Sequence, residues 1–326
     1  MVSFKKTLFY LIFVLRSMKK GFYALIIIPL LFAFGSNKKP VRSKYLPKNF
    51  VEVPAGKVYL HPSDVNFNRT KSAQEIKDEA EKQAFLMGLD SCDQFYISEN
   101  EVTNGEYKQF LSWLKEQDKP DEYIQNLPDT TVWRSKLAYN EPYVNYYFQH
   151  PAYTDYPLVG VTLQQAKAYC SWFNQTYETK SGKKLSFYIP TKKEWIRAAR
   201  GESSAAYPWG GPYLRNSKGV FLANFNGMLT YNDTLLDTAD PYYSSRTEAL
   251  NQGGFITTPS KSYFPNKFGA YQMSGNVAEL VSDDSVAMGG SWNDVGYDIR
   301  VESTQSAVKP TSTIGFRVAA RIIETN

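Results

Sequence analysis

Residues Tyr207 to Asn226 read YPWGGPYLRNSKGVFLANFN, and neither a helical nor a strand period of apolar residues survives in them. Glycine, proline and asparagine interrupt the run throughout, and the same character persists to Ser262. Loops of this length are uncommon in compact domains. Because aromatic residues fill the stretch and low-complexity repeats do not, it reads as packed irregular backbone, whose polar groups need many side-chain or ion contacts. The fold class expected is irregular α+β, with short helices, short strands and long packed loops.

Three helices stand upstream, each opened by a Thr N-cap with Glu or Gln three residues on and continued by apolar residues at helical spacing. Thr103 and Glu106 open the first, with Tyr107, Phe110, Leu111 and Leu114 on one face. Thr162 and Gln165 open the second, with Ala166, Tyr169, Cys170 and Phe173. Thr191 and Glu194 open the third, with Trp195, Ala198 and Ala199, and Gly201 is placed to close it. All three are expected to be short. Strand signals are brief: Phe95 to Ile97, Leu158 to Val161, Leu185 to Ile189, Ala287 to Gly289 and Phe316 to Ala320. Residues 115–155 look like an insertion, polar at first and aromatic from Tyr139 onward.

The chain has 326 residues, a formal net charge of +5 and 43% hydrophobic residues, enough for a sizeable core. Its lysines are scattered among acids and form no tract, which argues against nucleic acid as a partner. At the N-terminus, Lys5 and Lys6 precede one apolar run, and Met18-Lys19-Lys20 precedes a second that ends Ala33-Phe34-Gly35-Ser36. The pattern reads as an export signal over residues 1–36, within which Met18 offers an alternative start that keeps the second unit alone. A linker at 37–49 and one domain at 50–323 follow. The segment Leu30 to Ser36 resembles a lipoprotein signal box with Phe34 where the acylated cysteine would stand, so no lipid attaches there. Cys170 reads as a small core residue, and an exported location permits pairing with Cys92 without requiring it.

With only His61 and His150, a histidine-rich metal site is excluded. No His-Glu-x-x-His, phosphate-cradling glycine loop or nucleophile elbow occurs. Each histidine adjoins a proline and reads as a surface or packing residue. The carboxylates form no close pair of the glycosidase kind.

Three stretches are distinctive: Ile189 to Gly201 continuing to Gly211, Pro265 to Leu280, and Met288 to Arg300 closed by Gly315-Phe316-Arg317-Val318. With Glu101-Val102-Thr103-Asn104 upstream, their order and spacing resemble the formylglycine-generating enzyme family, the sulfatase-modifying factors, over about Phe50 to Arg321. The resemblance implies that family's C-type-lectin-like fold. In catalytic members the Gly-Gly-Ser-Trp loop leads into two cysteines that bind copper and convert a sulfatase cysteine to formylglycine. Here those positions are Asp294 and Ile299. A soft copper(I) ion needs thiolates, which neither residue supplies, so no copper and no oxidase chemistry are expected. Gly289, Gly290, Ser291 and Trp292 then build a tight turn that buries an indole, or else a retained peptide-binding groove lined by Ser291, Trp292 and Asp294.

The resemblance also implies a structural calcium held at Asn276, Val277 and Glu279, since the family's Gly-Asn-x-x-Glu turn offers oxygen ligands. The alternative has Asn276 capping a turn and Glu279 pairing with Arg300 or Arg317. Asn224 resembles part of a second calcium site, whose acidic partner is not evident around Asn251 to Gly254.

A narrower likeness lies in Pro128 to Trp133, Tyr139 to Tyr143, His150 to Tyr153 and Tyr156 to Thr162, which resemble the insertion of the gliding-motility lipoproteins GldK and GldJ, associated with type IX secretion. It implies a non-catalytic scaffold of the bacterial envelope, in the periplasm at the inner face of the outer membrane, with secretion or gliding proteins as partners. Tyr139, Tyr143, Tyr146, Tyr147 and Tyr153 are interface candidates, equally readable as packing. Rival readings are an enzyme with altered, iron-dependent chemistry, for which the histidines are too few, and a peptide- or glycan-binding module.

Overall fold

The computed structural model describes residues 40–60, 88–136, 138–181, 184–227 and 256–323, all within the compact unit Pro40–Asn326. The export signal, His61 and Asn251 to Gly254 lie outside the described residues.

Strands β1 (Phe50–Val53), β4 (Phe95–Ser98), β5 (Lys184–Tyr188) and β10 (Ala319–Ile323) form an antiparallel sheet in the order β1-β4-β10-β5. Successive side chains leave opposite faces of a strand. Phe50, Phe187 and Ala320 accordingly enter one core, while Val51, Ile97 and Ala319 enter another. The first core is covered by α1 (Asn104–Glu116) and α4 (Leu163–Ser181), the second by α5 (Lys192–Arg200). Rings interlock the first: Phe173 stacks on Phe187 at 4.4 Å and Tyr107 on Tyr169 at 5.7 Å.

All three capping boxes form. Thr103 and Thr191 accept from the backbone of Glu106 and Glu194, whose carboxylates bond back to the caps, and Thr162 and Gln165 do the same. Gly201 closes α5 with φ 68°. One helix is not short: α4 runs 19 residues, because Trp172, Phe173 and Tyr177 extend its packed face beyond Tyr169.

β2 (Gly56–Tyr59) and β3 (Leu89–Cys92) make a ribbon. A second four-stranded sheet takes the order β8-β7-β6-β9, from β6 (Ala278–Leu280), β7 (Val286–Met288), β8 (Thr304–Ser306) and β9 (Ile314–Gly315). Two strand expectations shift. Leu158 to Val161 is buried but joins no ladder, its anchor being Leu158 N to Val102 O at 2.8 Å. An apolar run reports burial before it reports pairing. The terminal strand begins at Ala319, since the backbone of Phe316 and Val318 serves Val102 and Ser98 instead.

The expected linker is also corrected. Leu46 is buried in the core, Val41 O accepts from Glu52 N, and Pro40 lies against Gly269, so residues 40–49 belong to the fold. The insertion is ordered by α2 (Pro120–Gln125), α3 (Glu141–Tyr146) and two 3-10 turns, Thr130–Trp133 and Pro151–Tyr153. Among the described residues, no helix is long and apolar enough to cross a membrane.

Candidate functional site

Gly275 and Asn276 make a turn in the left-handed region, φ 75° and 62°. A Cβ at Gly275 would meet Asn224 O at 2.3 Å, so the close approach requires glycine. The Asn276 side chain is fully committed. Its Oδ1 accepts from Thr258 N at 2.8 Å and Asn224 Nδ2 at 3.2 Å, and its Nδ2 donates to Glu101 Oε1 at 2.9 Å.

Three residues on, both oxygens of Glu279 receive Arg317, Nη2 to Oε1 and Nε to Oε2 at 2.5 Å each, and Oε2 also accepts from Trp195 Nε1 at 2.6 Å. Glu279, Arg317 and Trp195 are wholly buried. The guanidinium spends its other donors on Ser98 O and Tyr271 O, tying the first sheet to the second through one ion pair. Of the two arrangements open in the sequence, the pairing with Arg317 is the one found, while Arg300 lies 3.6 Å over the Tyr297 ring. Calcium calls for about six to eight oxygen ligands. The side-chain oxygens of Asn276 and Glu279 are spent on protein donors, Val277 packs its side chain beside Trp133 and Tyr147, and a cation already faces the carboxylate. These residues do not fit a calcium ion. Asn224 Nδ2 donates to Ile256 O as well as to Asn276. Among the described residues no group of three His, Cys, Asp or Glu side chains is placed to share a metal.

Glu101, which sequence reasoning passed over as an acid, completes this network. Burial holds its carboxyl well above the usual range, opposed by Arg317 and reinforced by Glu279, and its Oε2 is buried without a hydrogen-bond partner. The only sequence signal was its place in Glu101-Val102-Thr103-Asn104.

The loop at Met288 to Arg300 turns on Gly289 and Gly290, φ 87° and 67°. A Cβ on Gly290 would sit 2.3 Å from Asp298 O. Asp294 points back into its own turn: one oxygen, Oδ2, accepts from Ser291 N at 2.8 Å, from Ser291 Oγ at 2.6 Å and from Gln305 Nε2. Ile299 is fully buried among Tyr207, Phe221, Ala223 and Phe225. The two positions where the resemblance places cysteines thus hold a turn-forming carboxylate and a core aliphatic.

The insertion closes over this loop. Trp133 stacks on Trp292, ring centroids 6.0 Å apart and planes at 21°, and Trp292 Nε1 donates to Ser312 O. Tyr147, Tyr143 and Val159 join the same cluster. Of the residues expected to line a groove, Ser291 is buried, while Trp292, stacked on one side by Trp133, and Asp294 are half-buried. The tyrosines separate accordingly. Tyr147 is 1% exposed, its hydroxyl donating to Pro157 O, and is no interface residue. Tyr143 and Tyr153 are half-buried, while Tyr139 and Tyr146 stand 83% and 55% exposed. His150 is exposed and caps the turn at Pro151, accepting from Ala152 N. Cys92 and Cys170 are free, buried thiols.

The sequence profile described as the sulfatase-modifying factor enzyme 1-like domain matches residues 37–322. The formylglycine-generating enzyme of Bos taurus is 24% identical over 322 aligned residues, covering 84% of this chain and 75% of that one. The inactive C-alpha-formylglycine-generating enzyme 2 of Bos taurus is 27% identical over 184 residues, covering 51% of this chain and 50% of that one. Among solved structures, PvdO from Pseudomonas aeruginosa is similar with a TM-score of 0.50 at 20% identity, covering 87% of this chain and all of that one, a likeness of fold alone.

Proposed function

Since the chain belongs to the sulfatase-modifying factor enzyme 1-like domain family, we propose that it is a non-catalytic member of it, acting as a scaffold in an exported envelope complex of the secretion or gliding kind. One observation carries the reading: Trp133 of the insertion stacks on Trp292, so the loop that leads to the active cysteines in catalytic relatives here serves as a packing surface. Asp294 and Ile299 support it, because neither supplies the thiolate that copper(I) requires. The similarity to an inactive relative is compatible with such a role.

Partner binding falls to side chains that the fold leaves outside. Tyr139 and Tyr146 are the exposed remainder of the aromatic insertion, and aromatic residues are enriched at the centres of protein interfaces. The test is affinity capture of the tagged protein from its own envelope fraction, followed by a salt wash and mass spectrometry. Secretion or gliding components should be recovered at fixed ratio, and a Tyr139→Ser, Tyr146→Ser variant should lose them. A monomer that brings down nothing overturns the scaffold reading. A peptide- or glycan-binding role is the alternative; it would use the exposed part of Trp292 and Asp294.

A further inference from the structure

The lysines are scattered along the sequence, but the fold gathers some of them. Residues 40–49 hold three cations, Arg42, Lys44 and Lys48, and no acid; residues 259–271 hold Lys261 and Lys267, and again no acid. The two segments meet. Arg42 and Lys261 take the two oxygens of one carboxylate, Glu99, with Lys261 at 2.6 Å, and Pro40 lies against Gly269. Arg42 also donates to Lys48 O, which folds the first segment back on itself. The turn closed by Gly269 N on Asn266 O carries Lys267 and packs beside Pro40.

All five cations are exposed, and Val41 and Phe264 stand 59% exposed among them. The bordering acids answer only part of this charge. Glu99 is 3% exposed and shared between two cations, and Glu106 is engaged in the capping box of α1. Glu52 and Asp155 touch the segments through their backbones, Glu52 N donating to Val41 O and Asp155 O accepting from Ser260 N; Glu52 is half-buried and Asp155 exposed. The balance at the surface is basic. Exposed lysine and arginine around apolar side chains suit the interface of an anionic bilayer, where each cation adds attraction and apolar groups enter the headgroup boundary.

We propose that the face built by residues 40–49 and 259–271 docks on an anionic lipid surface, with Arg42 and the four lysines on the headgroups and Val41 and Phe264 between them. Chain continuity supports lipid as the partner: residues 1–39, which join the domain at Pro40, contain the apolar runs Leu8 to Leu15 and Phe22 to Phe34 and two further cations, Lys38 and Lys39. Nucleic acid suits the face less well, because aliphatic Val41 offers no ring on which a base can stack. The inference depends neither on the scaffold reading nor on removal of the export signal.

Vesicles of phosphatidylcholine alone, and of phosphatidylcholine with phosphatidylglycerol in equal parts, test it on the full chain, read by co-sedimentation and by hydrogen exchange. Residues 1–39 are present in every arm, so their contribution is common to the variants compared. Exchange over 40–49 and 259–271 should slow on the anionic vesicles and not on the neutral ones, and high salt should abolish the difference. Glutamine at Lys44, Lys48, Lys261 and Lys267 together should remove that protection and lower the ratio of anionic to neutral partitioning at least about tenfold. Glutamine at Lys136, Lys167, Lys184 and Lys309, an equal change of charge elsewhere on the surface, should leave both unaltered, with thermal melts confirming that the two variants fold. If the first variant does not fold, the exchange pattern of the unaltered protein decides. Equal protection on both vesicles, protection confined to another face, equal losses in the two variants, or tighter binding to double-stranded DNA than to the anionic vesicles overturns the proposal.

Discussion

Trp133 and Trp292 face each other at 6.0 Å with their ring planes 21° apart, one from the insertion and one from the glycine-turned loop. Trp133 is 3% exposed and Trp292 half-buried, so removing the Trp133 ring opens a cavity beneath Trp292. Trp133→Ala should cost about 3–5 kcal/mol of unfolding free energy. A double-mutant cycle with Trp292→Ala should return a coupling of about 0.5–1.5 kcal/mol. Additive losses in urea unfolding would show that the rings do not support each other.

The buried pair of Glu279 and Arg317 has a second signature. Glu279→Leu leaves a guanidinium uncompensated in the core and should cost about 3–5 kcal/mol, while Glu279→Leu combined with Arg317→Met should recover much of the loss. A double variant as unstable as the sum of the singles contradicts the pairing as the organising contact of the two sheets.

Metal dependence follows from the same geometry. With the side-chain oxygens of Asn276 and Glu279 already bonded to protein donors, the melting temperature should be the same in calcium and in excess chelator. A fall of several degrees on chelation, reversed by calcium alone, would restore the calcium expectation for this turn.

Glu101 makes stability depend on pH. Its carboxyl is pushed up from 4.5 to about 8, chiefly by burial, so the folded state holds a proton that the unfolded state releases above the ordinary carboxylate range. Its contribution is therefore complete below pH 4.5 and is lost as pH rises through about 8. Denaturant midpoints should fall between pH 5 and pH 9, and Glu101→Gln, neutral at every pH, should flatten that decline. An unchanged slope in the variant places the titration elsewhere.

Much of the fold was legible because its signals are local. Thr103, Thr162 and Thr191 each announce a helix through an acceptor and a partner three residues on, a contact that forms within one turn. Glycines 289 and 290 marked a turn that only glycine makes cheaply. What escaped depends on distant chain. Leu158 to Val161 reads as a strand from its apolar content, but whether it pairs is decided by Val102, far upstream. Residues 40–49 look like a linker until Leu46 meets the core. At the site, the sequence left two partners for Glu279, and a preformed cation beside it decided between them. For the insertion tyrosines the sequence left packing and interface open, and the choice of Tyr147 for packing and of Trp133 as the partner of Trp292 depends on where the insertion folds back.

The central proposal is that the loop at Ser291 to Ile299, with Asp294 and Ile299 in place of the two cysteines, does not support formylglycine formation. The direct measurement is incubation of the purified chain, supplied with copper(I) and oxygen, with a sulfatase-type cysteine peptide, read by mass spectrometry for formylglycine. The account predicts that the peptide returns unchanged at every concentration of the protein, and that Trp133→Ala, which removes the ring stacked on Trp292, does not create activity. Formylglycine produced in proportion to the unaltered protein would contradict it.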